Sequence, residues 1–212
     1  MLKLVSRTAA PPLAPGSSDP LGALGRQAVT GDAGALQRLL AAVGPAMLRA
    51  IRKILGAATG EVEDVVQEAT EGLLTALPRF RGHCTVLHFA CRVAILTALA
   101  RRRRLDVRQQ WMIDLPDTDE VAGASASPAT PADEAHSRRR REALGALLGE
   151  LPVAQAEVLV MHAALGFTVQ ECAAALGKPA ETVRSRLRLA KQALRDRILQ
   201  SRALAEILEV TS

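Results

Sequence analysis

The stretch from Gly166 to Lys191, GFTVQECAAALGKPAETVRSRLRLAK, constrains the fold of this chain more than any other. Val169, Cys172, Ala173 and Leu176 recur at helical spacing, and Thr168 stands where a side-chain oxygen can cap the helix N-terminus. Gly177 can take the left-handed conformation that ends this helix, and Pro179 suits the first turn of the next. On the second helix Val183, Leu187, Ala190 and Leu194 make an apolar stripe, while Arg184, Arg188, Lys191 and Arg195 fall on other faces. A short helix, a glycine turn and a basic second helix make a helix-turn-helix, whose second helix can enter a major groove. A basic helix alone would serve equally well as a solvated surface. The turn, and the small residues Ala173, Ala174 and Ala175 that permit close helix crossing, decide for DNA binding.

The rest of the composition agrees. Aromatic residues are 2% of the chain and Tyr is absent, so any core must be built from Leu, Ala and Val, which favours helix bundles over sheets. The 212 residues allow one or two small domains. A net charge of +5 suits a polyanionic partner. Three cysteines without framework spacing point to a reducing, cytoplasmic setting. No apolar run is long enough to span a bilayer, and no apolar segment follows Lys3 and Arg7, so neither membrane association nor a signal peptide is expected.

Taken in order, residues 1–20 read as a flexible Pro-, Ala- and Ser-rich leader. A first helical domain follows over 21–104. Leu36, Leu39, Leu40, Val43, Met47, Ile51, Ile54 and Leu55 keep helical spacing, with a kink or restart expected at Pro45. After Gly56, Thr59 is placed to cap a helix from about Gly60 to Leu77. Its buried stripe is Val62, Val65, Val66, Ala69, Leu73 and Ala76, and its polar stripe is Asp64, Gln67, Glu68 and Glu71. Such a stripe is ordinarily solvated surface, but on a basic protein it also suits a basic partner. Phe80, Arg81, Gly82, His83 and Cys84 read as a loop. The helix after it, from Val86 to Arg103, is apolar almost all round and should be the most buried of its domain. Its end, Arg101, Arg102, Arg103 and Arg104, suits both a helix C-terminus and a phosphate backbone.

Between 105 and 137 the charge turns acidic and VAGASASPATPAD is low in complexity, which reads as a mobile linker. A second domain spans 138–198: a helix through Ala143, Leu144, Leu147 and Leu148, a break at Leu151-Pro152, a helix over 153–165, and the helix-turn-helix. The tail, 199–212, is amphipathic with no legible partner. The fold expected is all-α, two small helical domains on a flexible acidic linker.

These blocks together resemble a bacterial RNA polymerase sigma factor of the extracytoplasmic-function (ECF) type. Glu63-Asp64-Val65-Val66-Gln67-Glu68-Ala69, then Phe80-Arg81-Gly82 and Arg92-Val93-Ala94, are similar to the family's region two. Leu151-Pro152, Gly166-Phe167-Thr168, Glu171, Leu176-Gly177 and Thr182 to Leu187 are similar to its region four. The chain departs from the pattern in being poor in aromatics: Phe89 stands where Trp is common, Leu96 where Asn is common, and Leu189 where Arg is common.

The resemblance implies a set of roles. Asp64, Gln67, Glu68 and Glu71 would dock on core RNA polymerase. The loop of Phe80, Arg81, Gly82, His83, Cys84 and Thr85 would hold a base flipped from the melted non-template strand. Arg184, Ser185 and Arg188 would meet base edges and phosphates of the upstream promoter element, with Thr182, Arg186 and Lys191 contributing backbone contacts. Arg101, Arg102 and Arg103 would track DNA near the fork. An anti-sigma factor is a further expected partner.

Two rivals compete. A dimeric helix-turn-helix regulator that never touches polymerase would leave the Asp64 stripe idle, and a diverged sigma-like protein would bind polymerase without opening promoters. Cys84, His88 and Cys91, with His83 adjacent, raise a metal site, but lack a secure fourth ligand; small-residue packing is the preferred reading, and no metal or cofactor is expected. No phosphate loop, nucleophile–base pair or carboxylate pair marks an enzyme.

Overall fold

The apolar stripe of the N-terminal half forms α2 (Ala33–Leu55), which buries Leu39, Val43, Met47, Ala50, Ile51, Ile54 and Leu55 on one side. The computed structural model describes residues 19–56, 60–111 and 131–208, and their regular structure is helical without strands. α2 runs unbroken through Pro45, where a kink or restart was expected. Pro45 and the neighbouring Ala41 and Ala42 are exposed, so water can take the carbonyl that the missing N–H leaves free.

α1 (Pro20–Val29) packs on α2, and α3 (Glu61–Ala76) and α4 (Val86–Trp111) complete the first unit around it. Thr59 lies outside the described residues; the N-cap position of α3 is Gly60, with no side-chain cap. One carboxylate fixes two helix starts. Asp19 accepts from Leu21 N at 3.1 Å to cap α1, and its other oxygen accepts from Val86 N at 2.8 Å, at the start of α4.

The second unit contains α5 (Pro131–Glu150), α6 (Val153–Leu159), a π-turn over Val160–Ala164, α7 (Val169–Leu176), α8 (Ala180–Gln200) and α9 (Arg202–Ile207). The π-turn ends the regular helix at Leu159, short of the expected Leu165. α9 packs on α5 and α8 and Leu208 is buried, so the amphipathic tail finds its partner in α5. The expected linker, 105–137, narrows at both ends. α4 continues to Trp111 and α5 begins at Pro131, while 112–130 lie outside the described residues.

The two units share one core. α4 touches α5, α6 and α7 as well as α2 and α3. At Gly145, the approach of α5 to the end of α2 is so close that a Cβ would sit 2.6 Å from the Ile54 carbonyl oxygen. Gly145→Ala should therefore destabilise by about 1–3 kcal/mol, because backbone cannot give way as a side-chain tip can. Gly72→Ala, which meets only the Val93 methyl at 3.4 Å, should be neutral or stabilising through its gain in helix propensity. Thermal melts check this: the midpoint should fall for Gly145→Ala and hold level or rise for Gly72→Ala.

Candidate nucleic-acid and polymerase interfaces

The helix-turn-helix is built from local chemistry. Thr168 Oγ1 accepts from Glu171 N at 3.2 Å, and Glu171 Oε2 accepts from Thr168 N at 2.7 Å, a reciprocal capping box at the start of α7. Gly177, at φ 60°, turns the chain out of α7, and Lys178 N donates to Ala173 O at 3.0 Å. Pro179 occupies the N-cap position of α8, one residue before the first helical turn. Val183, Leu187 and Ala190 are buried and Leu194 is half-buried, which fixes the rotation of α8. Arg184, Arg188, Lys191 and Arg195 are exposed, while Thr182, Ser185 and Arg186 are half-buried. Arg184 pairs with Glu181 at 3.0 Å, an exposed contact of little energetic weight.

On α3, Val62, Val65, Ala69 and Leu73 are buried, and Asp64, Gln67, Glu68 and Glu71 are all exposed on the opposite side. Gln67 donates to Glu71 at 3.0 Å, bridging one turn of that stripe. Glu61, Glu63 and Asp64 lie in the first turn, where the helix dipole favours negative charge.

The loop between α3 and α4 presents Arg81, Gly82 and His83 to solvent, with Gly82 at φ +74°. Phe80 is pinned by its ring, 5.0 Å from that of Phe89. Thr85 accepts from His88 N at 3.2 Å and, with Asp19, holds the start of α4. The arginine run divides. Arg101 faces Glu61 at 3.2 Å and Asp64 at 3.6 Å, and Arg103 donates to the Leu151 carbonyl at 2.6 Å. Arg102 lies against the Gly145 approach, and Arg104 is exposed. Arg101 and Arg103 thus already serve intramolecular contacts.

Cys84 is half-buried and Cys91 and Cys172 are buried. Burial pushes the Cys84 thiol up to about 11, against the pull of Arg92, and the Cys91 and Cys172 thiols up to about 12. None is a thiolate at neutral pH, and among the described residues no three His, Cys, Asp or Glu side chains gather as a metal site. His88 turns instead toward the second unit. Its ring lies 4.2 Å from Phe167 and its Nε2 3.7 Å from Glu171 Oε1. Burial lowers its pKa below the ordinary 6.5, against the opposing Glu171 charge.

One turn along α4, Arg92 Nε donates to the buried Glu157 carboxylate of α6 at 2.8 Å, and its Nη1 to Ala175 O at the end of α7 at 3.3 Å. Sequence reasoning marked Arg92 only as part of a motif. The available signal was a lone arginine within the largely apolar stretch 86–100, ahead of the arginine run, and a lone glutamate among Val153, Ala156, Val158 and Leu159.

Comparison with known proteins gives a consistent result. Sigma-70 region 2 matches residues 39–108 and Sigma-70 region 4 matches residues 141–194. The chain is 31% identical to the ECF RNA polymerase sigma factor SigD of Mycobacterium tuberculosis, over 84% of each chain. It is 33% identical to the ECF sigma factor ShbA of Streptomyces griseus, over 77% of this chain and 87% of that one. Among solved structures, CnrH in complex with the cytosolic domain of CnrY is similar in fold, with a TM-score of 0.54 and 22% identity, covering 85% of this chain and 97% of that one.

Proposed function

The chain belongs to the extracytoplasmic-function sigma factors of RNA polymerase, and from that premise we propose which of its surfaces carry each step of the family's work. A sigma factor binds core RNA polymerase and directs it to promoters to initiate transcription; it is a regulator, not a catalyst. The working domains are 21–104, extended by the end of α4 to Trp111, and 138–198, extended by the start of α5 at Pro131 and by α9, with 1–20 as a leader. The protein works in the cytoplasm, where polymerase and promoters are.

In this reading α8 lies in the major groove of the upstream element. Arg184, Ser185 and Arg188 meet base edges, and Thr182, Arg186 and Lys191 fix the helix against phosphates. Asp64, Gln67, Glu68 and Glu71 dock on polymerase. The loop from Phe80 to Thr85 captures a flipped base of the non-template strand, which offsets part of an unstacking cost of a few kcal/mol. Arg101, Arg102 and Arg103 line the approach to the fork, where Arg101 and Arg103 must exchange protein partners for phosphates. An anti-sigma factor is the expected antagonist, as CnrY is bound to CnrH in the similar structure.

The observation that carries this reading is the exposure of Arg184, Arg188 and Lys191 on α8, behind a capped helix and a glycine turn. Arg188→Ala should weaken promoter binding by roughly 1–3 kcal/mol and relax specificity at one position. Lys191→Ala should weaken all sequences alike and reduce the salt dependence by about one unit of slope. A salt titration in which neither variant differs from wild type would take α8 out of the groove.

A further inference from the structure

We propose that Leu189 reads a base: its side chain contacts the C5-methyl group of a thymine in the upstream element, so the sequence recognised carries a thymine at that position. The proposal rests on the reading that α8 occupies the major groove, and it adds a residue and a base preference to it.

Leu189 is among the most exposed large apolar side chains of the described residues, at 47%. The buried stripe of Val183, Leu187 and Ala190 sets the rotation of α8, and at about 100° per residue it turns Leu189 away from the core. Ser185, four residues earlier, and Gln192, three later, are its neighbours on that side, and Arg188 adjoins it. The leucine therefore shares its side of α8 with Ser185, one of the proposed base-reading residues, and is adjacent in sequence to Arg188, while Arg184 and Lys191 lie further round the helix. An isolated exposed leucine on an ordinary surface needs no explanation. On a groove-facing helix its chemistry becomes selective.

The major-groove edges of guanine, adenine and cytosine present acceptors and amino donors, and thymine alone adds a methyl group. A leucine has no donor or acceptor. Against the first three edges it would strip water from polar atoms and return nothing. Against thymine it buries a methyl group.

The experiment uses holoenzyme assembled from core RNA polymerase and the full chain. An upstream element is first selected from randomised promoter fragments. Each thymine in it is then replaced singly by deoxyuridine, which removes only the methyl group. One replacement should weaken binding about three- to fivefold, as expected for losing one buried methyl. In Leu189→Ala holoenzyme that same replacement should have no effect, while the other thymines behave as in wild type. The proposal is overturned if no single replacement matters, or if the sensitive thymine stays equally sensitive in the variant. If Arg188→Ala loses sequence discrimination while the deoxyuridine scan is flat, Leu189 alone is wrong. If Arg188→Ala also has no effect, the placement of α8 in the groove fails with it.

Discussion

Arg92→Met should destabilise the folded chain by about 3–5 kcal/mol, far more than its partner's replacement by Glu157→Gln. The asymmetry follows from burial. The Glu157 side chain is 6% exposed, so without the guanidinium it is left as an uncompensated carboxylate inside the protein. The Arg92 side chain is 35% exposed and also donates to Ala175 O, so without Glu157 it can turn its charge to water and keep one bond. Glu157→Gln should then cost roughly 1 kcal/mol, within the range of one net hydrogen bond. The double variant Arg92→Met/Glu157→Leu should recover most of the loss, because two apolar side chains of similar size need no partners. Calorimetry checks both size and place: the pair joins α4 to α6 and α7, so Arg92→Met should split a single melt into two. His88 adds a sign with pH. Its folded pKa is lowered by burial, so protons bind preferentially to the opened form, and the contact weakens as pH falls below the ordinary 6.5.

That contact between the units is the part of the fold least legible in the sequence. Periodicity says which side of a helix is apolar, not what will cover it. α4, apolar almost all round, was expected to be central to its own domain. Its second apolar side belongs to α6 and α7, so the all-round pattern was already the signature of two sets of neighbours. The linker boundaries failed for a different reason. The change from basic to acidic charge after Arg104 reads as a domain edge, yet no Gly or Pro intervenes before Pro116, and nothing stops α4 short of Trp111. Pro131 begins α5 because a proline is tolerated in a first helical turn. The helix-turn-helix was legible almost residue by residue, since Thr168, Glu171 and Gly177 act through bonds within a few residues of themselves. The polar stripe of α3 was legible too, because a buried stripe at 62, 65, 69 and 73 leaves its position no freedom.

Charge reversal on that stripe should abolish polymerase capture while leaving the fold intact. Asp64 and Glu68 are exposed, and substitutions at such positions shift stability by about 0.5 kcal/mol. Asp64→Lys adds two local penalties. It removes an acid from the first turn of α3, a matter of about 0.3–1 kcal/mol, and it sets a cation near Arg101, now 3.6 Å from the Asp64 carboxylate. With the Asp64 side chain 73% exposed that repulsion is screened, and Glu61, 3.2 Å from Arg101, still holds the guanidinium. A charge that meets a basic partner across a desolvated interface is worth far more, on the order of 2–5 kcal/mol, or a 30-fold or greater loss for the pair. The two magnitudes separate surface from site. Asp64→Lys/Glu68→Lys should keep wild-type helicity and keep the DNA affinity proposed for Arg184, Arg188 and Lys191, yet fail to retain core RNA polymerase in a pull-down. Equal capture by the folded variant would remove α3 from the polymerase interface and leave its acids as solvated surface.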